Sequence, residues 1–159
     1  EYSEQYDCLV SLFLTELIHV LYHSCDQTGQ LDIPFHFIID EFAHFRLPSF
    51  ERYISTARSR NIQFTLLIQS MDQLEIGYSK SVAQTIMDCC QNIISFQTTN
   101  YNTLTYMSQL SGYRDTVGNL PRVSMNDLLK LRPFEAFCLI NHQPSIQLFK
   151  PYFMRRDYL

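Results

Sequence analysis

Hydrophobic and polar residues follow two different spacings along the chain, and together they predict helices separated by short strands. Apolar residues recur every three or four positions between Cys8 and His23. This spacing predicts a helix with a wide apolar stripe, which we expect to be largely buried. Short apolar runs bounded by proline or polar residues predict buried strands. The predicted strands are 35–41, 64–70, 92–97, and a C-terminal pair within 136–149 that would form a hairpin around 142–144.

Polar residues at the ends of periodic segments mark further helices. These are predicted at 49–60, 79–90, 101–112 and 124–131. Ser49 and Ser124 stand where N-caps are preferred, and Gly112 stands where a left-handed residue commonly ends a helix. Strands that alternate with helices predict an α/β fold with a mostly parallel sheet flanked by helices. The length of 159 residues suits a single domain, 1–159.

The segment FHFIIDEFAHF places Asp40 and Glu41 directly after an apolar strand. Buried charges are costly unless a partner of opposite charge is present. Magnesium with a nucleoside triphosphate is such a partner, and an apolar strand ending in Asp-Glu is typical of a Walker B element. In that interpretation Asp40 holds Mg²⁺ through its water shell, and Glu41 orients or deprotonates the attacking water. The pattern alone also fits an ordinary strand end at which Glu41 caps a helix.

Two further features favour a nucleotide site. Gln69 and Ser70 follow the next predicted strand, and the carboxyl ends of parallel strands meet at one edge of a sheet. Gln69 would hold the water or the γ-phosphate, although polar strand ends are common. Arg58 and Arg60 lie late in the helix between the two strands. An arginine there either interacts favourably with the negative end of the helix dipole or acts as an arginine finger on a neighbouring subunit's phosphate.

Composition and charge narrow the class of protein. With 46% hydrophobic and 18% charged residues the chain is typical of a globular protein, and its net charge of −4 argues against a stand-alone nucleic-acid binder. No apolar run approaches the ~18 residues that span a bilayer, and we see no signal peptide. The five cysteines lack zinc-site spacing. We expect Cys8, Cys89 and Cys138 to be small core side chains in a reducing compartment.

The sequence lacks a phosphate-binding loop of the form G-x-x-x-x-G-K-[ST]. None of its four glycines begins such a motif, and the first lysine is Lys80. We therefore expect a C-terminal portion of a longer protein, whose upstream part cradles the triphosphate. Alone, this chain should bind ATP weakly.

The order of these motifs resembles the Walker B region of TraG/TraD-type coupling proteins, the DNA-transfer ATPases of conjugation and type IV secretion. The family pattern is a strand with DEFA, a turn with proline, a helix ending in A-x-x-R, and a strand with QS-x-x-QL. The similarity extends over nearly the whole chain, although Arg46 and Leu47 stand where the family usually has a glycine. The matching residues are Asp40, Glu41, Phe42, Ala43, Pro48, Arg58, Gln69, Ser70, Gln73, Leu74, Tyr78, Thr85, Ile86 and Cys89.

The resemblance implies part of a RecA-like P-loop NTPase domain that lacks the Walker A segment. The full-length protein would hydrolyse ATP with Mg²⁺, and we expect this part alone to be inactive. Asp40 would be the Mg²⁺-linked acid and Glu41 the catalytic base. Gln69 would be the sensor, with Ser70 beside it at the nucleotide.

The resemblance also implies a homo-hexamer in which Arg58, or less directly Arg60, reaches a neighbouring subunit's nucleotide. The implied work is to recruit and pump single-stranded DNA and its relaxase into the channel of a type IV secretion system. An upstream segment would attach the protein to the membrane. The implied location is the cytoplasmic face of the bacterial cell membrane.

Three other interpretations fit parts of the sequence. A chromosomal DNA translocase of the FtsK/HerA kind would share the fold, although the DEFA…QS…QL order favours the conjugation branch. A non-enzymatic receiver or docking module also ends a central strand in aspartate, but a receiver needs an early acid pair and a late lysine at a strand end. A metal hydrolase would use His36, Asp40 and His44, of which His44 lies past the strand end.

Overall fold

The computed structural model of the chain describes residues 2–114, 120–133, 135–140 and 143–149. The chain divides into two compact units, Glu1–Cys89 and Cys90–Leu159. Helices and strands occur in both units, which confirms the predicted α/β class. No helix in the described part is long and apolar enough to cross a membrane. The single domain over 1–159 stays a prediction.

Helices and strands alternate along the first unit. Its helices are α1 (Tyr2–Ser24), α2 (Phe50–Thr56), α3 (Met71–Gly77) and α4 (Lys80–Cys89), and its strands are β1 (Phe35–Ile39) and β2 (Ile62–Leu66). Two 3-10 turns complete it, Phe42–His44 after β1 and Arg58–Arg60 before β2. The order β1–α2–β2 is the crossover arrangement that parallel strands require.

The strands β1 and β2 are neighbours and run parallel, as predicted. Phe35 lies opposite Ile62, and Ile39 lies opposite Leu66. Backbone pairing continues one step further, because the Leu67 N–H donates to the Ile39 carbonyl at 2.9 Å. The residues that follow both strands are therefore held at the same edge of the sheet.

Both strands are shorter or shifted relative to their predicted bounds, 35–41 and 64–70. The first strand ends early because Glu41 adopts a left-handed backbone conformation, φ 51°, which turns the chain out of the sheet. The second strand begins earlier than predicted because Asn61, with φ 60°, makes the preceding turn. Single left-handed residues of this kind cannot be recognised from the spacing of apolar residues.

The helix α1 forms as predicted, but most of its apolar stripe is exposed. Tyr6, Leu9 and Phe13 are between 62% and 64% exposed, whereas Ile18 is 1% exposed. Near the end of the helix Tyr22 packs edge-on against a tyrosine of α2. The expectation of a largely buried helix is wrong, because periodicity identifies an apolar stripe without specifying the surface that covers it.

Aromatic side chains form the core around the turn that follows β1. Phe42 and Phe50 are completely buried with ring centroids 4.8 Å apart, and Tyr78 stacks on Phe42 at 5.2 Å. Phe64 of β2 meets Phe50 edge-on at 5.1 Å. Such pairs contribute roughly 0.5–1.5 kcal/mol each beyond the burial of their area, so the cluster fixes this turn.

The second unit is built on an antiparallel sheet. Its strands β3 (Asn92–Ser95), β4 (Ala136–Ile140) and β5 (Gln143–Phe149) pair in that order, and its helices are α5 (Tyr101–Leu110) and α6 (Met125–Leu129). The predicted hairpin within 136–149 is confirmed, and residues 141–142 lie outside the described residues. The mostly parallel arrangement holds for β1 and β2 but not here, where both pairings are antiparallel. The short connection between β4 and β5 excludes parallel pairing of those two strands.

Two of the three predicted helix caps are confirmed. Ser124 and Asp127 form a reciprocal capping box at α6, and Gly112 adopts the left-handed conformation after α5 with φ 76°. Ser49 precedes α2 but is itself left-handed, φ 57°, and its side chain makes no capping hydrogen bond. Its hydroxyl therefore does not supply the predicted cap.

The cysteines are all free thiols, and they differ in burial. Cys138 is buried and Cys89 is half-buried, in keeping with core positions. Cys8 is exposed, so its predicted core position is wrong for the same reason as for the rest of α1.

Candidate active site

Asp40 and Glu41 lie at the carboxyl end of β1, where both side chains are exposed. The Glu41 N–H donates to Asp40 Oδ1 at 2.9 Å. Glu41 holds its left-handed conformation because the next residue, Phe42, is anchored by its ring and by an N–H that donates to the Leu67 carbonyl at 2.9 Å. A non-glycine residue in this conformation costs about 1–3 kcal/mol and commonly marks a functional position. The acids therefore project from a rigid turn and are not buried.

Gln69 lies beside Glu41, at the sheet edge where the two parallel strands end. Its Nε2 donates to Glu41 Oε1 at 3.5 Å, and its Oε1 accepts a hydrogen bond from Gln73 Nε2 at 3.0 Å. Because the Gln73 amide occupies the oxygen, the amide N–H of Gln69 is directed toward the carboxylate. Gln69 is therefore presented to the site as a hydrogen-bond donor.

Ser70 starts the helix that carries Gln73. Its hydroxyl accepts the Gln73 N–H at 3.3 Å, which is an N-cap for α3. The Ser70 hydroxyl is therefore used to cap α3, and its predicted contact with a nucleotide stays a prediction.

His44 is a member of the site that motif reasoning missed. Its Nδ1 lies 3.4 Å from Glu41 Oε2, so the two carboxylate oxygens of Glu41 have different neighbours, Gln69 and His44. The 3-10 turn after Glu41 brings His44 back toward the acid three residues earlier. In the sequence, the i,i+3 spacing of Glu41 and His44 was the only indication of this contact.

The metal-hydrolase interpretation finds no support in the described part of the chain. His36 Nε2 is hydrogen-bonded to Thr65 Oγ1 at 2.8 Å across the β1–β2 pair, away from His44. Within the described ranges, no group of three or more histidine, cysteine, aspartate or glutamate residues could hold a metal ion.

Tyr78 supports the turn that carries the acids. Its hydroxyl donates to the Phe45 carbonyl at 2.6 Å and accepts the Leu47 N–H at 3.2 Å. Burial raises the pKa of Tyr78 to about 12, so its hydroxyl stays protonated and able to donate at neutral pH. The Tyr78 hydroxyl therefore satisfies backbone groups of the turn that contains Arg46 and Leu47.

Arg58 and Arg60 lie at the other end of β2 from Gln69, in the 3-10 turn before that strand. Five strand residues at about 3.3 Å each place them roughly 16 Å from the acids. Arg58 is exposed, whereas the Arg60 guanidinium lies 4.9 Å from the Tyr22 ring centroid. The structure therefore does not bring either arginine to Glu41 of the same chain.

The oxygen donors at this edge fit a hard divalent cation. Magnesium prefers carboxylate and water oxygens and is commonly held by one or two carboxylates. Asp40 uses Oδ1 for the Glu41 N–H, and among the described residues its Oδ2 has no hydrogen bond. The exposed Asp40 carboxylate is therefore suited to a hydrated Mg²⁺.

Two parallel strands with flanking helices lead into an Asp-Glu pair and a glutamine, and this first unit has the layered α/β arrangement. Structures of the coupling protein TrwB share this fold. The unbound form of TrwBdeltaN70 is 18% identical with a TM-score of 0.75, and the match covers 94% of this chain and 38% of that chain. The complex of TrwB with the GTP analogue GDPNP is 18% identical with a TM-score of 0.69, covering 80% and 33%.

A third TrwB structure, in complex with ADP and Mg²⁺, is 20% identical with a TM-score of 0.65 and covers 77% of this chain and 31% of that chain. The present chain thus spans about a third of the length of these proteins. Comparison with curated protein sequences gave no match.

A family model described as "TraM recognition site of TraD and TraG" matches residues 34–125, more than half of the chain. The chain therefore belongs to this family of TraG/TraD-type proteins. The resemblance inferred from the motif order is confirmed.

Proposed function

We propose that this chain is the C-terminal part of the nucleotide-binding domain of an ATP-driven conjugative coupling protein. The observation that carries the proposal is the contact between Gln69 and Glu41 at the carboxyl end of the parallel strands. Family membership supports it, as do the TrwB structures with ADP and Mg²⁺ and with a GTP analogue. In the whole protein, ATP hydrolysis drives single-stranded DNA and its relaxase into a type IV secretion channel.

Each residue of the site has a role that follows from its contacts. Glu41 is the general base, because its exposed carboxylate can take a proton from water while Gln69 and His44 hold it on either side. Asp40 is the acid that holds hydrated Mg²⁺ beside it. When bound, ATP supplies the γ-phosphoryl group and Mg²⁺ neutralises charge on the phosphates.

Gln69 is the sensor in this proposal, and Gln73 positions it. With its oxygen bonded to Gln73, Gln69 offers N–H groups, which are suited to a phosphate oxygen or to the lone pair of water. Loss of the phosphate removes one acceptor from Gln69. The change is passed to α3 through Gln73.

Arg58 acts on the nucleotide of a neighbouring subunit in a homo-hexamer. Its exposure at the strand end opposite to Glu41 supports a role in trans and argues against a role within one chain. The membrane is reached through a segment upstream of this chain, at the cytoplasmic face. The family description also supports a protein partner, TraM or its counterpart.

The experiment that tests the site compares three glutamine substitutions in the full-length protein. Gln69→Leu should lower DNA-stimulated ATP turnover about 100-fold, because one transition-state donor is lost. Gln73→Leu should lower it about tenfold, because Gln69 remains but is free to rotate. Gln63→Leu changes an exposed glutamine within β2, the strand that precedes Gln69, and should leave turnover unchanged.

Nucleotide binding, measured by fluorescent-nucleotide titration, should be retained in all three variants. Equal turnover in Gln69→Leu and Gln63→Leu would contradict the sensor role. A larger loss of ATP turnover in Gln73→Leu than in Gln69→Leu would contradict the proposal that Gln73 acts only by positioning Gln69.

A further inference from the structure

Arg58 projects from a short turn, and its reach toward a neighbouring subunit depends on how that turn is held. The turn is the 3-10 segment Arg58–Arg60 that precedes β2. Arg58 is exposed, and within the described part of the chain its guanidinium has no hydrogen bond or ion pair. A long side chain without a partner can adopt several rotamers. Its direction is therefore set by the backbone that carries it.

The backbone of this turn is tied to the segment between α1 and β1. The Leu31 N–H donates to the Arg60 carbonyl at 3.1 Å, and the Asn61 side-chain amide donates to the Leu31 carbonyl at 3.1 Å. Asn61 adopts the left-handed conformation that ends the turn, and its carbonyl accepts the Phe35 N–H at 3.1 Å. The end of the turn is therefore anchored by its backbone, close to the side chain of Arg60.

The side chain of Arg60 adds a second anchor, to α1. Its guanidinium carbon lies 4.9 Å from the centroid of the Tyr22 ring, a distance typical of a cation–π contact. The Tyr22 hydroxyl donates to the Tyr53 carbonyl of α2, and the two tyrosine rings meet edge-on with centroids 4.9 Å apart. Arg60 thereby connects the turn to both α1 and α2.

The contact of Arg60 is not the most favourable way to fill this position. Its Nε is buried and has no hydrogen-bond partner among the described residues. A buried donor without an acceptor destabilises the folded state, and a flexible apolar side chain such as methionine would pack against the ring without that cost. A polar group retained at such a cost calls for an explanation other than stability.

The geometry of the turn links the fixed side chain of Arg60 to the direction of Arg58. A 3-10 helix has about three residues per turn, so side chains two positions apart point about 120° away from each other. When Arg60 is held against Tyr22, Arg58 must therefore point away from α1. The burial of the two residues agrees, because Arg60 is half-buried and Arg58 is exposed.

We infer that Arg60 and Tyr22 are positioning residues for Arg58. Their contact fixes the 3-10 turn so that Arg58 is directed at the neighbouring subunit's nucleotide, while Arg60 itself touches no nucleotide. The inference rests on the proposed function, in which Arg58 acts in trans. It makes the C-terminal end of α1 part of the trans-acting side of the site.

The test measures DNA-stimulated ATP turnover of the full-length protein. Arg58→Ala should lower turnover about 1,000-fold, as expected for loss of a trans-acting arginine. Arg60→Met should lower it about tenfold, because Arg58 is present but no longer directed. Urea denaturation should show that Arg60→Met is as stable as the wild type, since the substitution also removes the buried Nε. Arg52→Met, at an exposed arginine of α2, should leave both turnover and stability unchanged.

Two substitutions of Tyr22 separate the ring from the hydroxyl. Tyr22→Phe keeps the ring face under the guanidinium and should retain turnover per folded molecule. Tyr22→Leu removes the ring and should lower turnover to the level of Arg60→Met.

Mixed assemblies separate positioning in trans from damage within one chain. Subunits that carry Glu41→Gln keep an intact turn, and subunits that carry Arg60→Met keep an intact base. Rings formed from both contain interfaces at which the two intact halves meet, so their turnover should exceed that of either variant alone. The same mixture made with Arg58→Ala is the reference.

The outcomes distinguish this inference from the proposed function. Absence of a gain in the reference mixture would contradict the trans role of Arg58 itself. A gain in the reference mixture without a gain in the Arg60→Met mixture would overturn the positioning role alone. Wild-type turnover in folded Arg60→Met would overturn it as well, as would equal losses in Tyr22→Phe and Tyr22→Leu.

Discussion

At the scale of single residues, the side chain of Glu41 is positioned by its neighbours on both sides. Gln69 approaches one carboxylate oxygen and His44 the other, at 3.5 Å and 3.4 Å. Both contacts depend on the left-handed backbone of Glu41, which is held by the anchored ring of Phe42. The chemistry proposed for this acid therefore depends on the rigidity of the turn that follows it.

Substitution of Tyr78 tests the rigidity of the turn that follows Glu41. Tyr78→Phe removes the acceptor of the buried Leu47 N–H and the donor to the Phe45 carbonyl. We expect a loss of about 1–3 kcal/mol in the free energy of unfolding at pH 8, measured by urea denaturation. Tyr101→Phe, at a residue that is 69% exposed, should change it little.

The pH dependence of this difference follows from the pKa of Tyr78. Burial raises that pKa from its ordinary value of 10 to about 12, so folding favours the protonated hydroxyl. The extra stability of the wild type over Tyr78→Phe should be constant below pH 10 and should shrink as the pH rises through 12. A difference that grows with pH would contradict the assignment.

At the scale of elements, the apolar runs were sufficient to predict β1, β2 and the meeting of their carboxyl ends. Asp40, Glu41 and Gln69 could be predicted to lie together because parallel strands end at one edge. The contact of His44 with Glu41 was indicated only by their i,i+3 spacing, and the position of Gln73 could not be predicted, since it depends on the residue at which α3 begins. The exposure of α1 could not be predicted either, because an apolar stripe on a helix does not specify whether another element packs against it.

The contact between α3 and the 3-10 turn depends on Gly77. A Cβ at this position would lie 2.5 Å from the Ala43 carbonyl oxygen, so Gly77→Ala must push the turn away. We expect a loss of about 1–3 kcal/mol in unfolding free energy, together with reduced ATP turnover in the full-length protein. Turnover would fall because the displaced turn carries Glu41 and His44.

Gly29→Ala is the matched control for Gly77→Ala. Gly29 has a φ of +82° with open space around it, so alanine there is strained without a clash. This variant should lose stability yet keep normal turnover per folded molecule. Normal turnover in Gly77→Ala as well would mean that the contact supports the fold and not the site.

At the scale of the whole molecule, the chain supplies two carboxylates and a glutamine at one sheet edge, but its sequence has no phosphate-binding loop. The sequence has no G-x-x-x-x-G-K-[ST] motif, and its arginine finger candidate is at the opposite end of the strand from the acids. Under the proposed function, hydrolysis therefore requires an upstream segment and a neighbouring subunit. These contributions can be separated by experiment.

The isolated chain should bind MgATP weakly or not at all. Without backbone N–H groups to cradle the phosphates, we expect an affinity weaker than about 1 mM, or less than roughly 4 kcal/mol of binding free energy. Isothermal titration calorimetry on the 159-residue chain measures this directly. The same titration of Asp40→Asn gives the background heat, and saturable binding at millimolar or lower concentration that is lost in this variant would contradict the expectation.

The most direct test of the central claim is DNA-stimulated ATP hydrolysis by the full-length protein carrying Glu41→Gln. The substitution keeps the size of the side chain and removes its ability to accept a proton. Turnover should fall at least about 100-fold with ATP binding retained, while Glu16→Gln, at an exposed residue of α1, should behave like the wild type. Unchanged turnover in Glu41→Gln would contradict the account, because Asp40 and Glu41 would then be an ordinary strand end.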